Sequence, residues 1–398
     1  MHMSNRGRIF FILALSIAFL ARDVDRCIVI ALFMTGIAIA NKRAIEFDIG
    51  DLLIFLVPAF YNVIYGSGVA DGLFLGMGYV AMYQLGKFLI PESGNSKESG
   101  TGSGGIVMTV LIPTLILAVK GLLGYLYVLR NGSISVERAW PDWGGDMMHR
   151  NHHEYWMVMP AALLIYFIIL IVLSFRKKST PEGFESCFES DELIRFTGII
   201  GVVLSVGIVL VTIYGGGRLT LCACYISAFV VVLGIAIRNK LFTESEYRLY
   251  AIGGIVLSLV PMILYMIFSD TDSSSVMLQQ IRLSLAHPFL PTADTPLITV
   301  LGEETGSAGN TWLQMARQGG LISALPAIAF TVMNIYWLVK VWKRSRNIGI
   351  YAVTAAFVGV TWLNMIESVV LTYEVFWCLE IYIGGLIRGM YNEVTDEK

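Results

Sequence analysis

Apolar runs close to the length of a membrane-spanning helix recur along the whole chain, and no other feature constrains its fold as strongly. A helix needs about 20 apolar residues to cross a bilayer, and it satisfies its own backbone polar groups there. We therefore expect an all-α, polytopic bundle of about 12 transmembrane helices, forming a single integral membrane domain over residues 1–398. The runs lie at residues 9–21, 27–40, 52–65, 71–90, 106–129, 155–175, 196–214, 219–237, 250–268, 320–341, 348–366 and 372–387.

The composition agrees with that fold. The chain is 56% hydrophobic and 15% charged, with a mean hydropathy of +0.69, which argues against a soluble protein of two or three domains. Five cysteines without a CxxC pair predict no disulfide framework. No small-residue cleavage site follows the first apolar run, so we expect an uncleaved first helix rather than a signal peptide.

Lysines and arginines divide the connecting loops into two sets. If the N-terminus is cytoplasmic, no lysine falls in any loop of the opposite side, which is the charge asymmetry of cytoplasmic loops. We therefore predict that both termini are cytoplasmic. The outer side then carries two long loops, residues 130–154 and 269–319, the second of which precedes the tenth helix. Because loops often carry binding and catalytic residues, we expect the chemistry on this outer face.

Every basic residue that this topology places on the outer side is an arginine. The guanidinium group remains charged and presents a planar fork of donors that binds phosphate oxygens at two points. For any single arginine, the alternative is an ordinary interaction with lipid head groups or with an acidic residue of a loop. The outer arginines are Arg22, Arg26, Arg130, Arg138, Arg150, Arg218, Arg282 and Arg317.

Arg218 stands out because three glycines precede it, in the stretch YGGGRLTL between two predicted spans. Gly215, Gly216 and Gly217 permit a tight turn whose N–H groups are free to bind an anion. The alternative is a flexible turn with an arginine that reaches the head groups. The stretch is not a nucleotide-binding P-loop, because no Gly-Lys-Ser/Thr follows it.

The large outer loop contains two further arginines. Arg282 lies in VMLQQIRLSLAHPFLP, which predicts a short amphipathic helix, and Arg317 lies in GNTWLQMARQGG at the entry to the tenth span. In the second stretch we expect a helix from Thr311, followed by a hinge at Gly319–Gly320. For both segments the alternative is a helix that lies on the head groups without binding substrate.

The stretch MMHRNHHEYW contains residues with the side chains of metal ligands, namely His149, His152, His153 and Glu154. Adjacent histidines seldom both reach one ion, so we predict no metal site in this segment.

Two charged residues fall within predicted spans, Lys120 in the fifth and Glu380 in the last. Charges inside a membrane are costly and usually face the interior of the bundle, so each is expected to function or to form an ion pair. The alternative is a side chain that reaches the membrane surface from near the end of its span.

Three stretches resemble motifs of the O-antigen ligase and polymerase superfamily of bacterial membrane proteins, which handle lipid-linked glycans. GGGRLTL resembles the Gly/Ser-Arg turn, LAHPFLP resembles the His-Pro step of the large outer loop, and GNTWLQMARQGGLI resembles the Asn-containing entry to the next span. The likeness covers residues 196–342. It implies a GT-C-like helical fold in the bacterial cytoplasmic membrane.

The chain departs from this family at two positions. The ligase branch usually has a histidine before the motif asparagine, where this chain has Gly309, and the family's loop-helix arginine is replaced by Ser273–Ser275. Arg282 is near that arginine position but out of register with it. The missing histidine favours a polymerase over a ligase.

The resemblance implies that lipid-linked oligosaccharide repeat units are polymerised on the outer face, from an undecaprenyl-diphosphate-linked donor and without a cofactor. Arginines would stabilise the charge of the departing lipid diphosphate. Asn310 would orient a substrate oxygen, or would simply cap the helix that begins at Thr311. The catalytic residues would be Arg218, Arg282, Arg317 and Asn310, and the substrate-binding residues Gly215, Gly216, Gly217, His287, Glu303 and Glu304.

Three alternatives stay open. A ligase would transfer finished glycan to another acceptor. A transporter of lipid-linked glycans would carry polar residues at mid-membrane in several spans, of which the sequence has few. A non-catalytic scaffold would hold other polysaccharide-assembly proteins in the membrane. In each case the expected partners are membrane lipids and lipid-linked glycan, and we expect no binding to nucleic acid.

Overall fold

A computed structural model describes residues 11–13, 15–16, 24–40, 45–64, 68–90, 106, 109–114, 140–141, 147–148, 311–344, 349–366 and 375–396. The regular secondary structure of these residues is helical apart from one two-residue antiparallel pair, in which Trp140 lies opposite Met148. The elements are α1 (Val24–Ala40), α2 (Ile49–Ile64), α3 (Val69–Leu89), β1 (Trp140–Pro141), β2 (Met147–Met148), α4 (Thr311–Gln318), α5 (Gly320–Arg344), α6 (Gly349–Ile366) and α7 (Val375–Asp396).

The prediction of helices is confirmed where the apolar runs fall on described residues. Helices α1, α2, α3, α5 and α6 begin and end within a few residues of their predicted runs. By length and composition, α5 is the one helix within the described ranges that is able to cross a membrane. Shorter apolar helical stretches are Cys27–Ile39, Ile49–Tyr61 and Gly349–Thr361. The runs over 155–268 and the total of twelve lie outside the described residues.

Helix α2 begins where two aspartates satisfy its first free backbone N–H groups. The Asp48 carboxylate accepts hydrogen bonds from the Gly50 N–H at 2.8 Å and from the Asp51 N–H at 3.4 Å. In return, the Asp51 carboxylate accepts a hydrogen bond from the Asp48 N–H at 2.8 Å. This reciprocal arrangement is a capping box with aspartate in the fourth position. It explains why the helix starts at Ile49, before the apolar run that begins at residue 52.

Helix α3 is central to the described bundle and packs against α1, α2 and α7. Its closest approach to α7 is at Gly86 and Gly385. A Cβ atom at Gly86 would lie 2.9 Å from the Cα of Gly385, and a Cβ atom at Gly385 would meet the Tyr83 carbonyl oxygen. The two backbones are therefore in contact, as is common where small residues line the interface of membrane helices.

Helices α5 and α7 lie side by side and run in the same direction. Phe330 packs edge-on against Trp377, with ring centroids 6.4 Å apart, and Trp337 packs against Tyr391 at 6.2 Å. The later residue of α5 packs against the later residue of α7, so the two helices are parallel.

Helix α6 runs antiparallel to α5. The Trp342 indole N–H, near the end of α5, donates a hydrogen bond of 2.8 Å to the hydroxyl of Thr354, near the start of α6. Trp342 also packs edge-on against Tyr351, with ring centroids 5.3 Å apart. The Trp342–Thr354 pair therefore fixes the register of the two helices near their connection.

The polarity of α5 is inverted relative to a helix on the surface of a soluble protein. Its polar residues Ser323, Thr331 and Asn334 are buried. Its exposed face is a continuous apolar stripe formed by Leu325, Ile328, Val332, Ile335 and Val339. A soluble helix would instead direct its apolar stripe to the core and its polar residues to the solvent.

Candidate functional site

Most residues that the sequence singles out lie outside the described ranges, so their proximity in space stays a prediction. Arg317 is part of α4, where its backbone is described and its side chain is not. The residues outside the described ranges are Lys120, His149, His152, His153, Glu154, Gly215, Gly216, Gly217, Arg218, Arg282, His287, Glu303, Glu304 and Asn310.

The stretch GNTWLQMARQGG forms a short helix, a break and a long helix. Helix α4 begins at Thr311, as predicted, and buries Gln314, Met315 and other residues of one face against the bundle. Its last turn is closed by a 2.8 Å hydrogen bond from the Gly319 N–H to the Met315 carbonyl oxygen. Gly320 then has a positive φ of 72°, which is accessible mainly to glycine. The predicted hinge is therefore a real change of backbone direction between α4 and α5.

A buried carboxyl group lies beneath this segment. Glu380 is 0% exposed, and its Oε1 accepts a 3.3 Å hydrogen bond from the Thr331 hydroxyl of α5. Its Oε2 accepts a hydrogen bond from the Asn364 Nδ2 of α6. The Asn364 Oδ1 in turn accepts a 3.3 Å hydrogen bond from the Thr311 hydroxyl of α4. We call these four residues the Glu380 cluster.

The Glu380 cluster connects four helices through side chains of which the sequence indicates only some. Glu380 was predicted to be either buried or directed to the membrane surface, and its complete burial decides for the interior. Thr331 and Asn364 were not predicted, although a polar residue within an apolar run is a signal for burial in a helix bundle. Thr311 was predicted only as the start of its helix.

Two more polar side chains lie one helical turn from the cluster and have no hydrogen-bond partner within the described part of the chain. Asn334 is 0% exposed, and neither atom of its amide is bonded; the Thr361 hydroxyl, in a residue 8% exposed, is also unbonded. Asn334 follows Thr331 by one turn of α5, and Thr361 precedes Asn364 by one turn of α6. Because these helices are antiparallel, the two unbonded groups lie in the same layer of the bundle.

A second polar cluster holds the opposite end of α7. Arg388 donates from Nε to Asp48 Oδ2 at 2.8 Å, and the Lys87 Nζ lies 3.2 Å from the same oxygen and 3.7 Å from Asp51 Oδ2. The Gln84 amide donates to Asp51 Oδ1 at 2.8 Å. We call Asp48, Asp51, Gln84, Lys87 and Arg388 the Asp48 cluster. It joins the start of α2 to the end of α3 and to α7.

Charge is well matched in the Asp48 cluster. Burial raises the pKa of the Asp48 carboxyl, but Lys87 and Arg388 more than offset this, so the pKa lies below its usual value of 3.8. The guanidinium of Arg388 also lies over the Trp337 and Tyr391 rings, 4.7 and 5.2 Å from their centroids. Acids and bases therefore already pair with one another, which is typical of a structural ion-pair network.

The two clusters differ in what they are able to do. Within the described residues, the bonded neighbours of Glu380 are neutral, whereas each aspartate of the Asp48 cluster has a cation beside it. A buried carboxylate without a cation is costly, and such residues in membrane proteins usually serve a function. Glu380 and its layer are therefore the candidate functional site of the described part of the chain.

Comparison of the chain with protein-family models, with curated proteins and with solved structures gives no match.

Proposed function

We propose that this chain is a multi-pass protein of the bacterial cytoplasmic membrane with about twelve transmembrane helices. The inverted polarity of α5 supports this, because Val332 and the rest of its exposed stripe would contact lipid while Thr331 and Asn334 face the bundle. In water, an exposed apolar stripe of this length would favour aggregation or association.

The proposed sidedness agrees with the Asp48 cluster. The positive-inside pattern places the loop around Asp48, the segment after Lys87 and the C-terminus on the cytoplasmic side. Lys87 and Arg388 both contact Asp48, which agrees with the placement of all three residues at one surface. Thr311 and the start of α5 then lie at the outer end of the bundle, and both termini are cytoplasmic.

The function that we propose is polymerisation of lipid-linked oligosaccharide repeat units on the outer face of that membrane. One observation carries it: α4, the break at Gly320 and the long apolar α5 are the elements that the family resemblance implies for GNTWLQMARQGGLI. In this arrangement α4 forms a cap at the outer surface. Arg317, as part of α4, would then lie beside the membrane, where a lipid-linked substrate is accessible.

The reaction is a glycosyl transfer. An acceptor hydroxyl oxygen bonds to the anomeric carbon of the donor, the bond from that carbon to the diphosphate oxygen breaks, and undecaprenyl diphosphate leaves with the electron pair. Arg218, Arg282 and Arg317 would stabilise the negative charge that develops on the leaving group. The donor already carries the energy of the bond, so ATP does not enter this scheme.

The acceptor proton requires a base. His287, Glu303 and Glu304 are the proposed candidates, since they share the large outer loop with Asn310 and Arg317. Among the described residues, Glu380 connects to Thr311 through the Asn364 amide, which does not readily pass a proton. We therefore assign Glu380 no role as the base.

A second candidate is a transporter or flippase for lipid-linked glycan. The observation that favours it is the set of buried polar groups within apolar helices, above all Glu380, Asn364 and Asn334. Ion and substrate pathways through membranes are usually marked by such residues. A ligase remains the alternative within the proposed enzyme class.

The test is a profile of lipid-linked and exported glycan in the native host, comparing wild type, a deletion and Arg218→Ala. Single repeat units that accumulate on the lipid carrier in both mutants support a polymerase that depends on Arg218. Long chains stranded on the carrier point to a ligase. Repeat units trapped on the cytoplasmic face indicate a transporter, and an unchanged profile in the deletion refutes all three.

A further inference from the structure

We infer that the layer between Glu380, Asn334 and Thr361 binds one monovalent cation of the size of sodium. This inference goes beyond the proposed glycosyl transfer and does not depend on it. It rests on the charge of Glu380 and on the two buried polar groups that lie one turn away from it.

The single negative charge of the Glu380 carboxylate favours a cation with a single positive charge. The bonded neighbours of Glu380 within the described residues are a hydroxyl and an amide, neither of which neutralises a carboxylate. One carboxylate with one monovalent ion makes a neutral site. A divalent ion would leave an uncompensated positive charge in the apolar interior, which is costly.

The donor atoms of the site suit a hard cation. Glu380 supplies carboxylate oxygens, Asn334 an amide carbonyl oxygen and Thr361 a hydroxyl oxygen, and hard cations prefer oxygen ligands of these kinds. Among the described residues, the Asn334 and Thr361 groups have no hydrogen-bond partner, although buried polar groups in proteins are nearly always satisfied. A bound cation provides the missing partner for the oxygens of both.

The packing of three helices places these donors in adjacent turns of the bundle. Trp342 of α5 is hydrogen-bonded to Thr354 of α6. Asn334 lies two turns before Trp342. Because the helices are antiparallel, Thr361, two turns after Thr354, lies at the same level as Asn334. On α7 the same layer is occupied by Gly384, one turn after Glu380. A Cβ atom at Gly384 would lie 2.8 Å from Asn334 Nδ2. The absence of a side chain at Gly384 thus makes room for the amide.

The test is the thermal unfolding midpoint of the full-length protein in detergent, measured in sodium chloride and in choline chloride at equal ionic strength and pH. We expect sodium to raise the midpoint of the wild type. We also expect Glu380→Gln, which keeps the shape of the side chain, to abolish that rise. Asp51→Asn is the matched control, because it neutralises another buried acid that already has a cation beside it.

Thr361→Val is a second variant that tests the cation site if Glu380→Gln does not fold. It removes one oxygen donor without changing the side-chain volume, and we expect about a tenfold higher sodium concentration for the half-maximal rise. A midpoint that is equal in sodium and choline overturns the proposal. So does a sodium effect that survives in Glu380→Gln, and so does a wild-type midpoint that responds to pH but not to sodium, since a proton would then neutralise Glu380.

Discussion

Arg388 and Asp48 lie 340 positions apart in the sequence, and the Arg388 Nε donates a 2.8 Å hydrogen bond to Asp48 Oδ2. The same aspartate caps α2 through the Gly50 N–H. One carboxylate therefore fixes both the start of α2 and the position of α7. This contact closes the bundle between regions that are far apart in the chain.

Asp48→Asn is expected to destabilise the protein by about 1–3 kcal/mol at neutral pH, because Lys87 and Arg388 lose their shared anion. Because the pKa of Asp48 is lowered in the folded state, its contribution is present above the unfolded pKa and is lost as the pH falls through the folded one. Unfolding midpoints between pH 7 and pH 3 would show the wild type converging on the variant below about pH 4. A constant difference over that range would contradict the assignment.

Gly385→Ala is expected to separate α3 from α7. The new methyl group would meet the Tyr83 carbonyl oxygen and lie 3.0 Å from the Cα of Gly86, and such overpacking costs about 1–3 kcal/mol. Gly36→Ala is the matched control, because a Cβ atom there meets nothing within 4 Å. In α1 the alanine is expected to be neutral or to stabilise by about 0.5–1 kcal/mol. Equal midpoints for the two variants would show that the close contact is absent.

Substitutions of Gly320 test the hinge between α4 and α5. The positive φ of 72° is tolerated by asparagine better than by other residues with a side chain. We therefore expect Gly320→Val to cost about 1–3 kcal/mol and Gly320→Asn to cost less. Under the proposed function, glycan chain length is expected to shorten in the same order. Full activity and stability in Gly320→Val would exclude a fixed change of direction at this residue.

Three substitutions rank the hydrogen bonds of the Glu380 cluster. Thr331→Val removes one donor to Glu380, whereas Asn364→Ala removes another and also leaves the Thr311 hydroxyl without its Asn364 partner. Asn364→Asp instead places a second carboxyl group beside the first. Each broken buried hydrogen bond costs about 1–3 kcal/mol, and we expect the loss of stability to increase in that order. A neutral Asn364→Asp would mean that the two side chains are not in contact.

Val332→Arg tests whether the exposed stripe of α5 contacts lipid. Val332 lies in the middle of the helix and on its exposed face. An arginine at the centre of a membrane helix costs about 2.5–3.5 kcal/mol on insertion scales, whereas on a water-exposed face it would be nearly neutral. We expect less folded protein in the membrane fraction for Val332→Arg, and little change for Arg344→Gln at the end of the same helix. Equal yields would refute lipid contact at this face.

The sequence predicted the local features of the described bundle well. The apolar runs marked the helices, and GNTWLQMARQGG predicted a helix from Thr311 and a break at Gly319–Gly320. These features were predictable because each depends on residues that are neighbours in the sequence. The predicted end of the last apolar run, at residue 387, is not the end of α7, because the helix continues to Asp396. Beyond residue 387, polar residues such as Arg388 extend the helix, and a search for apolar runs does not register them.

The contacts between distant segments were not predictable in the same way. Helical periodicity identifies which face of α3 is buried, but it does not identify α7 as the neighbour, and thus gave no sign of the Gly86–Gly385 contact. The partners of Glu380 come from α4, α5 and α6, three helices whose order around α7 is a property of the whole bundle. The Asp-x-x-Asp spacing of Asp48 and Asp51 is a capping signal that is visible in the sequence. The pairing of Asp48 with Arg388 is not visible there.

The parallel orientation of α5 and α7 also affects the electrostatics of the bundle end near Thr311. Each helix has free N–H groups and a partial positive charge at its N-terminus. Because α5 and α7 run in the same direction, these two helix dipoles add at this end, and the antiparallel α6, whose last turn contains Asn364 in contact with Glu380, opposes them only in part. The positive potential that they create comes from the main chain, so no side-chain substitution or change of pH removes it. An anionic lipid diphosphate at this end would be attracted even before any arginine contacts it.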